Sequence, residues 1–285
     1  MKHIATADLT ILDALTQFYP QSSKTTLRSW IKEGRVCVDG LYLKNTNLTV
    51  YKGQEILIGQ KKKYIADRIP ILYEDAEFVV IDKPTGLLSV STDFEKNDTA
   101  HALLKDFYKP RKIYVVHRLD QDTSGVMLFA FGEQSGERLK KIFAAHDIDR
   151  SYTAIVEGTM ASKSGTWKNY LYEDEGYVVH ITDDPEKGEE AITHYKILAS
   201  NKRYTWIAVT LETGKKNQIR VHCQAAGHPI VGDKKYGSKH NPIKRLALHA
   251  NSLAFEHPSS HKKMYFESSI PQEFQKLVKP ISRNQ

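Results

Sequence analysis

Short strand-like segments outnumber helix-like segments in the sequence beyond about residue 70, and they follow one another in runs. Apolar stretches or apolar alternation predict strands at 71–73, 78–81, 126–131, 152–156, 177–181, 193–198 and 204–211. Helical spacing of apolar residues is found at 98–107, 133–146 and 216–226. Because strands and helices do not alternate regularly, as they would in a parallel sheet, the pattern predicts an α+β domain over residues 71–285.

The composition bounds the class of protein and its compartment. A chain of 285 residues is long enough for one large domain and a small one. No apolar run approaches the 18 or so residues of a membrane span, and Asp8 and Asp13 interrupt any signal-peptide pattern. Cys37 and Cys223 are the only cysteines and are far apart, which argues against a disulfide framework. We therefore expect a cytoplasmic protein.

The positive charge is concentrated in the first quarter of the chain. The net charge is +7, and residues 1–68 hold 11 Lys and Arg against 6 Asp and Glu, a net charge of +5. This distribution is expected of a segment that meets a polyanion. Charge alone does not separate a nucleic acid from another anionic surface or from a merely solvated face.

Residues 1–60 have the pattern of a compact α/β unit. Asp8 is predicted to cap a first helix that ends before Pro20, and a second helix is predicted from Thr25 or Thr26 to Gly34. A hairpin over 36–43 and a strand at 55–58 follow. Residues 61–70 show no clear period and end at Pro70, so we interpret them as a linker.

Four cations recur along the second predicted helix and its exit. Lys24, Arg28, Lys32 and Arg35 are spaced at i, i+4, i+8 and i+11, which places them on one side of the helix. Such a stripe could follow successive phosphates, although a solvated face of any amphipathic helix has the same pattern. The hairpin sequence GRVCVDG at 34–40 and the strand that begins GQEI at 53–56 come next. This succession resembles the S4 RNA-binding module over residues 6–58, which implies that the helix and hairpin bind structured RNA.

The segment 115–126, VVHRLDQDTSGV, is the richest in polar groups between two apolar strands. Polar side chains on a loop between buried strands are held rigidly and exposed at one edge, where sites are commonly built. A tight turn in which Asp120 or Asp122 binds local backbone amides has the same appearance.

Two further segments contribute an aromatic residue and a cation. Tyr152 lies in the strand-like run RSYTAIVEG at 150–158, where core packing alone would explain it. Arg220 lies in LETGKKNQIRVH at 211–222, where a surface ion pair would be its ordinary role.

Together with IDKPTGL at 81–87, these segments resemble the RluA-type family of pseudouridine synthases, which carry HRLDxxTSG, YxAxVxG and QIRVH in this order. The resemblance spans about residues 71–278. It implies a mainly antiparallel central sheet flanked by helices, a catalytic domain over 71–285, and a catalytic set of Asp120, Tyr152 and Arg220. It also implies that His117, Arg118 and Leu248 bind substrate.

The reaction of that family gives each residue a role. Isomerising uridine breaks a glycosidic C–N bond, so a carboxylate is needed beside the sugar, as nucleophile or as base. Burial would raise the pKa of Asp120, and the guanidinium of Arg220 would oppose that rise. The target base must leave its stack, and Tyr152 and Leu248 would pack against it while Arg118 fills the gap in the RNA.

Two positions depart from the family pattern. The third motif usually begins with Thr-Gly-Arg and has histidine before Gln-Ile-Arg, whereas this chain has Lys215 and Asn217. Lysine lacks the planar fork of arginine, so a phosphate contact or the loop geometry is in question. These departures are the one hint of an alternative, a non-catalytic RNA-binding protein on a synthase fold.

A second alternative treats Asp120 and a nearby acid as the carboxylate pair of a glycoside hydrolase, which would leave the basic N-terminal unit unexplained. The leading prediction is a pseudouridine synthase acting on structured RNA, with ribosomal RNA favoured over transfer RNA. We predict no cofactor, no metal and no obligate protein partner.

Overall fold

The computed structural model describes residues 2–39, 41–43, 45–59 and 64–278. The chain divides into two compact units, residues 1–63 and residues 64–285. None of the described helices is long and apolar enough to cross a membrane.

The smaller unit packs two helices against short strands. Its elements are β1 (Lys2–Ile4), β2 (Leu9–Thr10), α1 (Ile11–Phe18), α2 (Lys24–Lys32), β3 (Val36–Val38), β4 (Leu41–Tyr42), β5 (Thr49–Val50) and β6 (Glu55–Ile58). An antiparallel sheet has the order β1-β6-β3-β4, and β2 pairs separately with β5. The helices bury Ile11, Leu15, Leu27 and Ile31 completely. These apolar residues lie at helical spacing, so the core forms where the periodicity predicts it.

The first helix begins later than the sequence pattern predicts. Its cap is Thr10, whose Oγ1 accepts a hydrogen bond from the backbone N–H of Asp13 at 3.2 Å. Asp8 instead accepts a hydrogen bond from the backbone N–H of Lys52 at 2.8 Å. The prediction of an Asp8 cap is therefore wrong, because Leu9 and Thr10 are taken up in strand pairing before the helix starts.

The larger unit is built on one extended sheet. Its elements are β7 (Tyr64–Ile65), β8 (Ile69–Glu74), β9 (Phe78–Lys83), α3 (Ala100–Phe107), β10 (Ile113–Val115), β11 (Ser124–Phe131), α4 (Glu133–Ala144), β12 (Ile148–Glu157), β13 (Ser164–Glu173), β14 (Val179–Thr182), β15 (Glu189–Ser200), β16 (Tyr204–Leu211), α5 (Gln218–Ala225), a 3₁₀ turn (Lys234–Tyr236), β17 (Leu248–Glu256), β18 (Lys263–Glu267) and α6 (Gln272–Leu277). The strand order is β14-β13-β15-β16-β12-β17-β11-β9-β8-β7, with β10 added to β11 and β18 to β17.

Pairing in this sheet is mostly antiparallel. Among the described strands, β11 and β17 are the parallel pair, with Ser124 opposite His249. The predicted α+β class with a mainly antiparallel sheet is therefore confirmed.

Residues 64–70 belong to the large unit rather than to a linker. Strands β7 and β8 form a hairpin in which Ile65 and Ile69 are buried. The turn residues Ala66 and Asp67 both have left-handed φ angles, 47° and 54°, and the backbone N–H of Arg68 donates to the carbonyl oxygen of Ile65 at 3.2 Å, as in a type I′ turn. Strand β7 is only two residues long, which is too short to show an alternation of apolar and polar residues in the sequence. Residues 61–63 of the predicted linker lie outside the described residues.

Gly125 fixes the loop that precedes β11. Its φ is +117°, and a Cβ atom there would lie 2.0 Å from the carbonyl oxygen of Ala250 on β17. Only glycine permits this close approach of the two backbones. The loop 116–123 is consequently anchored at the centre of the sheet.

Candidate active site

A cavity of about 820 Å³ opens in the large unit and contains every candidate catalytic and substrate-binding residue predicted there. We call it the active-site cavity. Its lining includes His117, Arg118, Asp120, Tyr152, Arg220 and Leu248. The predicted RNA-binding cations Lys24, Arg28, Lys32 and Arg35 belong to the smaller unit.

Lys83, which the sequence reasoning did not assign, holds the loop that carries Asp120. Its side chain is fully buried, and Nζ donates hydrogen bonds to the carbonyl oxygens of Pro84, Leu87 and Gln121 at 3.1, 2.7 and 2.9 Å. Burial lowers the pKa of Lys83 to about 7, although the charges of Asp122 and Asp120 oppose the shift. The Lys83 side chain therefore joins the loop at 84–87 to the loop that carries Asp120.

A second set of hydrogen bonds fixes Leu119, the residue before Asp120. The hydroxyl of Ser89 donates to the carbonyl oxygen of Leu119 at 2.6 Å and accepts from the Leu119 backbone N–H at 3.1 Å. The Leu119 side chain is buried in the core next to Leu87. The backbone on which Asp120 stands is therefore fixed by both polar and apolar contacts.

Replacing Lys83 by methionine is expected to destabilise the protein by about 2–4 kcal/mol, because three buried carbonyl oxygens lose their donor. The unfolded chain binds more protons at position 83 than the folded chain between pH 7 and about pH 10.4, since the folded pKa is lowered. The free energy of unfolding should therefore contain a contribution that rises with pH in this window. Denaturant titrations of wild type, Lys83→Met and the exposed control Lys196→Met measure it; an equal pH dependence in all three would contradict this account.

Asp120 is paired with the guanidinium of Arg220, which is bound in turn by Asp233. Asp120 Oδ2 lies 3.4 Å from Arg220 Nη1. Arg220 makes a bidentate pair with Asp233 through Nε and Nη2, both at 2.7 Å, and Nη1 donates to Asn217 Oδ1 at 2.8 Å. The side chain of Asp233 is 1% exposed, whereas that of Asp120 is 30% exposed and reaches the cavity. The guanidinium is thus oriented by Asp233 and offers its remaining edge to Asp120.

These surroundings set the charge of the carboxylate. Desolvation raises the pKa of Asp120, and the charge and hydrogen bond of Arg220 oppose the rise. The more distant charge of Asp233 adds to the rise, and that of Lys83 opposes it. Asp120 therefore has a pKa above that of an ordinary aspartate, because its ionised form is poorly solvated in this cavity.

The departure at position 217 fits this geometry. Asn217 has a left-handed φ of 54° immediately before α5, a conformation that asparagine adopts more readily than most residues. Its buried side chain supplies the acceptor for Arg220 described above. The other departure, Lys215, forms an exposed ion pair with Glu189 at 3.1 Å. Neither change removes a group from the pairing of Arg220 with Asp120.

Tyr152 and Leu248 form the apolar part of the cavity. Tyr152 lies on β12 between Val209 of β16 and Ala250 of β17, and its ring is half-buried. Burial raises the pKa of its hydroxyl, with the negative charge of Asp120 adding to the shift and Arg150 opposing it. Leu248, at the start of β17, is 3% exposed. An aromatic face and an aliphatic side chain thus lie in the same cavity as the carboxylate.

His117 has a structural contact in addition to its place in the cavity lining. Its Nε2 accepts a hydrogen bond from the backbone N–H of Leu128 at 3.0 Å, and its ring stacks on Phe143 with a centroid separation of 4.5 Å. Burial, together with the charge of Arg150, lowers the pKa of His117 to about 3. The imidazole is therefore neutral and positions the loop. Arg118, by contrast, is exposed at the cavity.

Asp233 is the functional residue that the sequence reasoning missed most completely. It follows the buried pair Ile230 and Val231 and begins the 3₁₀ turn, where its Oδ1 also accepts from the backbone N–H of Tyr236 at 3.3 Å. A lone acidic residue in a turn is usually only a cap. The one signal in the sequence is the Gly-Asp step directly after an apolar run.

The fold and the cavity together place one aspartate, paired with a guanidinium, in a cavity of a mostly antiparallel sheet. A sequence profile described as RNA pseudouridylate synthase matches residues 77–225. The uncharacterized RNA pseudouridine synthase YhcT of Bacillus subtilis is 31% identical over 271 residues, covering 91% of this chain and 89% of that protein. Ribosomal large subunit pseudouridine synthase D of Pseudomonas aeruginosa is 32% identical over 287 residues, covering 90% and 87%.

A solved human structure has the same fold. The human RNA pseudouridylate synthase domain containing 4 aligns with a TM-score of 0.60 at 24% identity, over 72% of this chain and 89% of that one. The chain belongs to the RNA pseudouridylate synthase family, and it is an isomerase that acts on RNA.

Proposed function

We propose that this enzyme converts uridine to pseudouridine in bacterial ribosomal RNA, with Asp120 as the catalytic carboxylate. The observation that carries the proposal is the chain of contacts from Asp233 through Arg220 to Asp120 inside a cavity that also contains Tyr152. The ribosomal substrate is supported by the Pseudomonas aeruginosa relative, which is a ribosomal large subunit pseudouridine synthase by name. Transfer RNA is the alternative substrate.

The geometry supports two routes for the carboxylate. As a nucleophile, Asp120 forms an ester bond to C1′ of the ribose while the C1′–N1 bond breaks; as a base, it removes the proton from C2′ while that bond breaks and a C1′=C2′ double bond forms. In both routes uracil leaves as an anion and rotates. Its C5 then bonds to C1′, which displaces the Asp120 carboxylate in the first route, whereas in the second route Asp120 returns its proton to C2′. The proton on C5 is then lost and N1 gains one, so the product is an isomer of the substrate.

The remaining cavity residues act on the flipped nucleotide. The base must leave its stack to reach Asp120, and we propose that the Tyr152 ring and Leu248 hold it during rotation. Exposed Arg118 precedes the carboxylate by two residues and is proposed to fill the space that the uridine leaves in the RNA. His117 is the weakest of the predicted substrate contacts, because Nε2 already accepts from the backbone.

The alternative of a glycoside hydrolase would need a second carboxylate beside Asp120, and the pairing of Asp233 argues against that residue. Asp233 makes a bidentate pair with Arg220 and has a side chain that is 1% exposed, so it has no access to a substrate. We also propose a cytoplasmic location, because Cys37 and Cys223 are both buried and are not joined in a disulfide.

Purified protein is expected to release tritium from in vitro transcribed bacterial large-subunit ribosomal RNA labelled at uridine C5, since the label is lost when C5 bonds to the ribose. Release from transfer RNA transcripts but not from the ribosomal transcript would replace the substrate and keep the reaction. Uracil in the supernatant would indicate hydrolysis instead of isomerisation. Absence of release from both RNA classes would contradict the proposed function.

We further propose that the smaller unit is an S4-like RNA-binding domain. Lys24, Arg28 and Lys32 are exposed along α2, opposite the buried Leu27 and Ile31. Arg35 is partly engaged, because its Nε donates to the carbonyl oxygen of Gly59 at 3.0 Å and its guanidinium lies 4.7 Å from the centroid of the Trp30 ring. Three cations therefore remain available on one helix face to follow a phosphate backbone.

Replacing Lys24, Arg28 and Lys32 together by glutamine is expected to weaken binding of the ribosomal transcript and to reduce the slope of log K against log salt by about 2. The matched control replaces the exposed lysines Lys196, Lys202 and Lys262 of the other unit. Filter binding over a salt series measures both. If the two triple variants lose the same slope, the loss reflects net charge alone and the S4-like role of α2 is wrong.

A further inference from the structure

Arg150 lines the active-site cavity and has no described partner. Its Nε and Nη2 atoms are buried without a hydrogen bond, and no ion pair with it is formed by any residue the structure describes. It precedes Tyr152 by two residues on β12, so both side chains lie on the same face of the sheet. Buried guanidinium donors are rarely left unsatisfied, because their desolvation costs free energy.

The carboxylates near Arg150 are already engaged. Asp120 and Glu173 are the two acids among the cavity-lining residues; the first pairs with Arg220 and the second with Lys216. The positive charge of Arg150 is felt nevertheless, since it contributes to the low pKa of His117. Arg118 and Arg150 are the cavity-lining cations for which no ion pair is found among the described residues, and of these two Arg150 is the one with buried, unsatisfied donors.

The backbone around Arg150 leaves room for its guanidinium. A Cβ atom at position 214 would lie 2.3 Å from Arg150 Nη1, so Gly214 lets the loop before α5 approach the cation closely. The guanidinium thus lies against this loop, and its charge also acts on His117 and on Tyr152, the residue that the proposed function assigns to the flipped base. An orphaned cation in this position has the chemistry of a subsite for the substrate.

We propose that Arg150 binds the phosphodiester group next to the flipped uridine and thereby holds the nucleotide while its base is detached. The inference rests on the proposed function. A phosphate is favoured over a uracil carbonyl because a carbonyl would satisfy the donors but leave the charge uncompensated. The planar guanidinium fork also matches two non-bridging phosphate oxygens.

Arg150→Gln, Arg150→Lys and the exposed control Arg203→Gln test the subsite with the C5-tritiated ribosomal transcript. Arg150→Gln is expected to raise KM by about 10- to 100-fold, the usual cost of losing a charged hydrogen bond, and to lower the salt slope of binding by about 1. Arg150→Lys should have the wild-type salt slope, but its KM should lie between those of wild type and Arg150→Gln. Arg203→Gln should behave as wild type. Thermal melting separates binding from folding: loss of an unpaired buried charge should leave Tm unchanged or raise it.

An uncharged linkage in the RNA backbone distinguishes a contact of Arg150 with phosphate from a contact with the base. In a short synthetic RNA spanning the modified uridine, a methylphosphonate at one flanking linkage should weaken wild-type binding by the same factor as Arg150→Gln and should have no further effect on that variant. Equal losses in wild type and Arg150→Gln at both flanking linkages would overturn the phosphate subsite. An unchanged KM in Arg150→Gln, with wild type active, would overturn it as well. An inactive wild type would instead indicate failure of the proposed function.

Discussion

Replacement of Asp120 by asparagine is expected to lower the rate of pseudouridine formation by at least about 10⁴-fold, with little change in RNA binding. Asparagine keeps the size of the side chain but can neither attack C1′ as an anion nor accept a proton. Single-turnover tritium release measures the chemical step, and filter binding measures affinity. Because the carboxylate acts on the reacting carbon, the loss should fall on kcat rather than on KM.

Asp122→Asn is the matched control for this variant. Asp122 is two residues away in the same loop, is exposed, and contributes to the loop through its carbonyl oxygen, which accepts from Thr85 Oγ1 at 2.7 Å. Its replacement should leave most of the activity. A substantial rate in Asp120→Asn, or an equal loss in Asp122→Asn, would mean that the catalytic carboxylate is misassigned.

The Asp120→Asn variant should also be more thermostable than wild type at pH 7. The pKa of Asp120 is raised in the folded protein, so folding favours its protonated form and the ionised carboxylate costs stability. This cost appears as the pH rises from the ordinary aspartate pKa through the folded value, and it vanishes at lower pH. Differential melting at pH 7 and at about pH 3.5 should therefore show a gain in Tm only at pH 7; a loss at pH 7 would show that Asp120 stabilises the fold.

Replacement of Arg220 by methionine is expected to remove activity and to destabilise the protein by about 3–5 kcal/mol, because Asp233 becomes an unpaired buried carboxylate. Any residual activity should have its acid limb at higher pH than wild type, since Asp120 loses the guanidinium that opposes the rise of its pKa. Denaturant unfolding and the pH profile of tritium release measure the two effects.

The double variant Arg220→Met with Asp233→Asn separates stability from catalysis. The neutral amide keeps an acceptor for the backbone N–H of Tyr236 but removes the buried charge, so much of the lost stability should return while activity stays absent. Recovery of both would mean that Arg220 serves folding alone. Recovery of neither would mean that Asp233 stabilises the protein independently of its pair with Arg220.

The three residues proposed as catalytic could be selected from the sequence because they belong to motifs whose order in the chain is informative. Asp120, Tyr152 and Arg220 were each ambiguous alone, and their convergence in one cavity required the sheet to bring β12, α5 and the loop before β11 together. The local patterns around these motifs are strong, since β11 and β12 are long and apolar. The sequence therefore predicted three groups that the fold brings into one cavity.

The residues that support the three proposed catalytic side chains were harder to predict from the sequence. Asp233 and Lys83 act through side-chain contacts with partners 13 and 38 residues away, and neither stands in a pattern that distinguishes it from a turn residue. Strands β13, β17 and β18 were not predicted. The central strand β17 contains the polar residues His249 and Asn251, which make it look unlike a buried strand in the sequence. In the structure, His249 Nδ1 is hydrogen-bonded to Ser124 Oγ at 2.8 Å. Tertiary pairing, not local propensity, decides such segments.

Pseudouridine mapping in cells tests the central claim most directly. Large-subunit ribosomal RNA would be compared between cells lacking this protein and cells complemented with wild type or with Asp120→Asn at equal expression. The account predicts that one or more pseudouridines disappear in the deletion, return with wild type and stay absent with Asp120→Asn. Identical maps in all strains, or restoration by Asp120→Asn, would contradict it.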